Sequence, residues 1–177
     1  MKIPRIAWAA YGFAAVVVIL DQLTKAWVLD GLGLRIEGES HAVLPPLFNV
    51  TLVHNLGVSF GLFGDGSGRW MLSLFSLLVA GLLAWWATKA DRRLLVSAIG
   101  LVIGGALGNV IDRVRFGYVV DFLDFSGPHF FLGSIRVSFP WVFNIADSAI
   151  SIGVILLILD SLQTERAAKV GLAAEKS

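Results

Sequence analysis

Four apolar stretches, each close to the length of a bilayer crossing, limit what this chain can fold into. They cover about residues 6–29, 70–87, 94–113 and 141–159, and a helix needs roughly 20 apolar residues to cross the hydrocarbon core. Tryptophans sit at their ends: Trp8 and Trp27 on the first, Trp70 and Trp85–Trp86 on the second, Trp141 on the fourth. Amphipathic rings favour such membrane–water boundaries. Hydrophobic residues make up 56% of the 177 and charged ones 15%, with mean hydropathy +0.79; a soluble domain is nearer about 45–50% apolar. One integral membrane domain, residues 1–177, is expected. The basic start Met1–Arg5 and the apolar run behind it resemble a secretory signal. No small-residue cleavage site follows, and Asp21–Lys25 comes instead, so an uncleaved first span is expected.

The stretches between spans are more polar. In 30–69, Phe48–Asn55 is rich in β-branched residues and mostly alternates, which predicts a strand. Val58–Phe60 suggests another, and Gly64–Gly68 a turn. In 114–140, Ile135–Phe139 is again β-prone. The expected fold is therefore membrane all-α with a small β element: a four-helix transmembrane bundle carrying an extracytoplasmic β-rich segment. Lys2, Arg5, Lys89, Arg92 and Arg93 fall on one side of the spans, which places both termini in the cytoplasm and the two larger connections outside. Arg113 and Arg115 lie outside against that rule, and Arg113 is read as kept for a local task. A net charge of +1 without a basic tract argues against nucleic acid. The absence of cysteine excludes disulfides, zinc–thiolate sites and cysteine nucleophiles. His41, His54 and His129 show no metal-ligand spacing, so neither metal nor cofactor is expected.

Polar residues inside apolar segments need a reason. In the fourth, Asn144, Asp147, Ser148 and Ser151 recur at i, i+3, i+4 and i+7, one helix face. A carboxylate there is costly and suggests function, whereas the two serines suit bonding to their own helix. Asp121 follows the third span in Tyr118–Phe122, and an aspartate in a loop is ordinarily just solvated. Yet the chain re-enters the membrane at Trp141, a turn or two before Asp147, so both acids lie near one boundary. Two carboxylates that close share a proton, leaving one as base and one as acid. In the third span Gly100, Gly104 and Gly108 form a stripe suited to close approach of another backbone, helix or bound peptide. Asn109, Asp112 and Arg113 follow on one side; capping of the helix end explains Asp112 as well as function does. Asp21 and Lys25, four apart, make a structural ion pair or orient a group at the outer interface, and Lys25 is long enough to snorkel outward. On these residues alone a protease, a proton-coupled transporter and a non-catalytic scaffold all remain open.

Four motifs together narrow the choice. D-Q-x-T-K at Asp21–Lys25, V-H-N-x-G-V-x-F at Val53–Phe60, G-N-x-x-D-R at Gly108–Arg113 with V-V-D-F at Val119–Phe122, and F-N-x-A-D-S at Phe143–Ser148 occur in this order among four spans. Over essentially its whole length the chain resembles the bacterial lipoprotein signal peptidases, or signal peptidase II family. The resemblance implies Asp121 and Asp147 as catalytic pair. It implies Asn55, Gly57, Asn109, Arg113, Asn144 and Ala146 lining or supporting the pocket, with Asp21 and Lys25 in the same network and Asp112 beside them. It also implies a diacylglyceryl-modified prolipoprotein as substrate, cut just before the lipidated cysteine. An enzyme of the bacterial inner membrane is expected, in contact with membrane lipid, monomeric, with its site near the outer face.

Overall fold

The computed structural model describes residues 4–57, 67–127, 129–132, 135–138 and 141–174. Val58–Phe60, most of the Gly64–Gly68 turn and Pro140 lie outside the described residues. Four helices are long and apolar enough to cross a membrane. Helix α1 spans Ala7–Ala26 and runs into a single π-helical turn, Trp27–Gly31. Helix α2 spans Ser67–Ala87, α3 Arg93–Arg115 and α4 Ile145–Ala174. Helix α3 is the hub: 72% of its apolar window is buried, against 17% for α2. The other three pack chiefly on α3 and much less on one another. Their outward faces carry Trp8, Leu23, Leu74, Phe75, Leu78, Trp85, Ile155 and Ile158, an apolar belt that would be unstable in water.

The glycine stripe explains how α3 can be a hub. A methyl group on Gly104 would stand 2.6 Å from Val17 Cβ and 2.8 Å from the Ala14 carbonyl, and one on Gly108 2.6 Å from Asp21 Oδ2. The stripe thus receives α1, and a bound peptide has no room there. Gly105 and Gly153 allow the same intimacy between α3 and α4, where the missing methyl groups would meet the Ala146 carbonyl and Val102. Small residues permit this approach where no hydrophobic drive separates helix contacts from lipid contacts.

A four-stranded antiparallel sheet covers one end of the bundle, in the order β1 (Ser40–Leu44), β2 (Phe48–Asn55), β3 (Val119–Asp124) and β6 (Val142–Phe143). Strands β4 (His129–Leu132) and β5 (Ile135–Ser138) make a separate hairpin. Alternation in β2 and β3 turns Val50, Leu52, Val120 and Phe122 to a common face, packed with Val28 and Leu34 beyond the end of α1. The expected strand at Phe48–Asn55 is present with those limits. Three expectations change. Asp121 lies on a central strand instead of a loop. Ser67 and Gly68 open α2 rather than closing a turn. The fourth helix begins at Ile145 rather than at Trp141, because Val142 and Phe143 pair with Asp124 and Leu123. Asn144 is therefore the residue before the helix and not part of its face.

At the opposite end, Arg92 bonds Asp160 at 2.6 Å and also reaches Thr164, joining the α2–α3 connection to α4. The Tyr11 hydroxyl donates to the Ala84 carbonyl, joining α1 to α2. Gly104→Val should lower the melting temperature in detergent by the equivalent of about 1–3 kcal/mol, the usual cost of overpacking. Gly81→Ala, where a methyl group meets nothing within 4 Å, should leave it unchanged or slightly higher, as read by scanning calorimetry or a fluorescence melt.

Candidate active site

The strand–helix junction at Asn144 gathers the acids. Asn144 Oδ1 accepts from the Asp147 N–H (2.8 Å) and Asp147 Oδ2 accepts from the Asn144 N–H (3.3 Å). This reciprocal capping starts α4 and fixes the Asp147 carboxylate at its N-terminus. The Asn144 amide also donates to Asp121 Oδ1 (2.7 Å) and to Asn109 Oδ1 (3.2 Å). Asn109 in turn donates to Asp147 Oδ1 (2.8 Å), and Asn55 donates to Asp121 Oδ2 (2.8 Å). Three asparagines therefore hold both carboxylates, and Asn144 touches each. Amides suit this task because each both donates and accepts.

Asp121 is almost wholly buried. Its carboxyl is pushed up to about 7, by burial first and by the nearby Asp147 charge second, against the donors Asn55 and Asn144 and the charge of Lys25. With one carboxyl held that high, the cluster can present one ionised and one protonated carboxyl together. That combination can take a proton from water while giving one to a carbonyl oxygen.

Behind these acids lies a second, fully buried layer. Lys25 bonds Asp21 (2.8 Å) and Asp112 (2.7 Å), and all three side chains are buried. Lys25 does not snorkel outward. Two unpaired acids in the core would cost more than extending the lysine to the surface would gain. Asp112 does not cap its own helix. It accepts the N–H of Val120 (3.0 Å), the residue before Asp121, while Asp21 accepts the N–H of Ala146 (3.0 Å), the residue before Asp147. Lys25 also reaches Asn109 Oδ1 at 3.3 Å, directing that amide toward Asp147.

The remaining expected residues join the same cluster. Gly57 adopts φ +74°, and its N–H donates to Asn55 Oδ1 at 2.8 Å. A side chain there would press on Leu72 and on the Arg113 guanidinium. Arg113 has a buried Nε with no partner among the described residues. It borders, with Asn109, a cavity of about 230 Å³ whose other walls include Phe75, Val79, Val102, Ala106 and Ile150. Ser148 donates to the carbonyl of Asn144, the residue that caps its helix. His54 stacks on Tyr118, ring centroids 3.9 Å apart. Gln22, the glutamine of the D-Q-x-T-K motif, has a role that the motif alone did not assign. Its amide donates to Asp21 (3.1 Å), to Asp112 (2.9 Å) and to the Gly108 carbonyl. Its place three residues before Lys25, on the same face of α1, is the signal for it.

Four helices long and apolar enough to cross a membrane, with buried carboxylates beneath a small sheet, define a membrane-embedded protein. The same architecture occurs in two solved bacterial membrane enzymes, both obtained by the in meso method. The one at 2.3 Å resolution has TM-score 0.70 and 32% identity, with 92% of this chain and 93% of that chain covered. The one at 1.9 Å has TM-score 0.70 and 35% identity, with 87% and 92% covered. The family pattern described as Signal peptidase (SPase) II matches residues 13–163. The lipoprotein signal peptidase of Caulobacter vibrioides is 54% identical over 167 residues, 93% of each chain. That of Shewanella loihica is 46% identical over 160 residues, 88% of this chain and 87% of the relative. The chain belongs to the signal peptidase II family.

Lys25→Met would strand two buried acids. It should destabilise the fold by about 3–5 kcal/mol, the usual penalty for removing one partner of a buried pair. Adding Asp112→Asn to it should recover part of that loss, as measured by denaturation in lipid or detergent.

Proposed function

We propose that the chain is an aspartic endopeptidase that removes the signal peptide from diacylglyceryl-modified prolipoproteins, cleaving just before the lipidated cysteine. Asp121 and Asp147 are the catalytic pair. The observation that carries this reading is the Asn144 junction, whose one side chain and backbone N–H contact both carboxylates. The ionised carboxyl removes a proton from a water as its oxygen attacks the scissile carbonyl carbon. The protonated carboxyl gives its proton to the carbonyl oxygen. Collapse of the tetrahedral diol breaks the C–N bond, a proton passes to the leaving nitrogen, and one product ends in a carboxylate while the other begins with the amine of the lipidated cysteine. The shared proton belongs to the pair rather than to either acid.

Asn55, Asn109 and Asn144 orient the two carboxyls, and Gly57 keeps Asn55 in place. Arg113, its Nε facing no described partner, is suited to hold a substrate carbonyl. Asp21, Lys25, Asp112 and the Ala146 N–H hold the two catalytic segments at a fixed separation. The apolar cavity beside Asn109 and Arg113 suits a lipid-modified segment arriving laterally from the membrane. The loop charges orient the site toward the outer face of the bacterial inner membrane, with both termini cytoplasmic. Every proposed residue comes from one chain, so a monomer suffices. A proton relay across the bundle gains no support, since Asp21, Lys25 and Asp112 bond one another at the sheet end.

Asp121→Asn and Asp147→Asn should each cut the turnover of lipidated precursor by at least about a hundredfold, in keeping with loss of acid–base catalysis. Near-normal turnover by either would refute the pair. A mechanism needing one shared proton should lose rate as pH rises through about 7, the value to which the Asp121 carboxyl is pushed beside Asp147. Asn55→Ala removes a donor to the ionised form and raises the Asp121 pKa, so this alkaline limb should move to higher pH in a kcat profile.

A further inference from the structure

The cavity beside the acids lies between α2 and α4. Both helices lie on α3 and scarcely meet each other, and two separate cavities mark the seam between them. Val79 of α2 and Ile150 of α4 line the upper cavity. One heptad further along the same helix faces come Trp86 and Leu157, and these line a second cavity of about 360 Å³ at the opposite end of the bundle. Its remaining walls include Asp160, Ser161, Thr164 and Glu165, with Arg92 at the rim.

Three charged residues line this lower cavity: Arg92, Asp160 and Glu165. Arg92 is engaged by Asp160 and Thr164, and Asp160 is nearly buried. The lining therefore sums to one negative charge, carried by Glu165. Glu165 has one described partner, Lys169 at 3.2 Å, and both side chains are mostly exposed, so that pair is weakly held. Trp86 adds an indole face, the aromatic surface that best attracts a cation. The nearby rings already show the habit: Lys89 Nζ lies 3.7 Å over Trp85.

We propose that this lower cavity, lined by Trp86, Ser161 and Glu165, is the docking site for the basic amino-terminal end of the substrate's signal peptide. The inference rests on the function proposed above. The distance fits. Asp147 and Glu165 are 18 residues apart along α4, about 27 Å at 1.5 Å per residue. A signal peptide carries its positive charges ahead of an apolar stretch of about 7–15 residues and a short small-residue segment before the cleavage point. A helix of about 12 residues covers roughly 18 Å, and three extended residues add about 10 Å. A signal peptide lying in the seam with its scissile bond at Asp121 and Asp147 would thus bring its first lysines or arginines to Glu165. The contact would act on binding and leave the chemistry to the acids.

Two lipidated substrates test this, alike except that one carries lysines and the other glutamines ahead of the apolar stretch. With the unaltered protein the glutamine substrate should show a KM about threefold higher, the scale of one semi-exposed ion pair, and an equal kcat. With Glu165→Gln the two KM values should converge, and with Glu165→Lys their order should reverse. The proposal is overturned if the unaltered protein does not distinguish the substrates, or if Glu165→Gln raises both KM values equally. A KM that follows the headgroup charge of the surrounding vesicle, irrespective of substrate charge, would also overturn it by assigning the cavity to a phospholipid. None of these results would touch the catalytic pair, whose failure would show as cleavage by the Asp121→Asn or Asp147→Asn protein.

Discussion

One buried ammonium group between two buried carboxylates is the contact on which the sheet end depends. Lys25 holds Asp21 and Asp112, and Gln22 one turn earlier holds the same two acids. Taken out of water, such groups are expensive, and only near-complete pairing offsets the cost. Here the pairing is used for position. Each acid also accepts one backbone N–H, that of Ala146 for Asp21 and that of Val120 for Asp112. A strand and a helix that are distant in sequence are thereby tied to the same two points on α1 and α3. The proposed catalytic residues are the next ones along.

This explains a division of labour between the two kinds of secondary structure. Helix α3 supplies surface: its glycines bring α1 and α4 so close that Lys25 of α1 reaches Asp112 on α3 and Asp21 reaches the first turn of α4. The sheet supplies the acid whose proton affinity is altered. Asp121 sits on an inner strand with Asn55 beside it on β2, and burial there does most of the shifting. Asp147 comes from the first turn of α4, where backbone N–H groups favour a negative charge. Two carboxyl groups in different surroundings are what acid–base chemistry at neutral pH requires.

Much of this was legible in the residues. The four spans follow from run length alone, and Phe48–Asn55 announces a strand through β-branched alternation. The identity of the site residues rested on motif resemblance, and the structure brings every one of them into a single cluster. What the sequence left obscure depends on tertiary pairing. Val119–Asp124 has too few alternating positions to stand out, and becomes a strand because β2 and β6 lie on either side. Helical periodicity through Asn144 suggests a face, though that residue's bonds are those of a cap. A lysine near a helix end gives no sign of whether it bends outward or is drawn in; here Asp112, far along the chain, decides it.

The double role of Asn144 bears on how such a protein could evade an inhibitor. Its side chain starts a membrane helix and bonds one of the proposed catalytic acids, while its backbone N–H bonds the other, so fold and proposed chemistry share the same few atoms. A compound that grips the amides of Asn144 and Asn109 would engage groups that selection cannot readily exchange. Escape would have to come from the apolar walls of the seam, where neighbouring hydrocarbon shapes can replace one another with little harm.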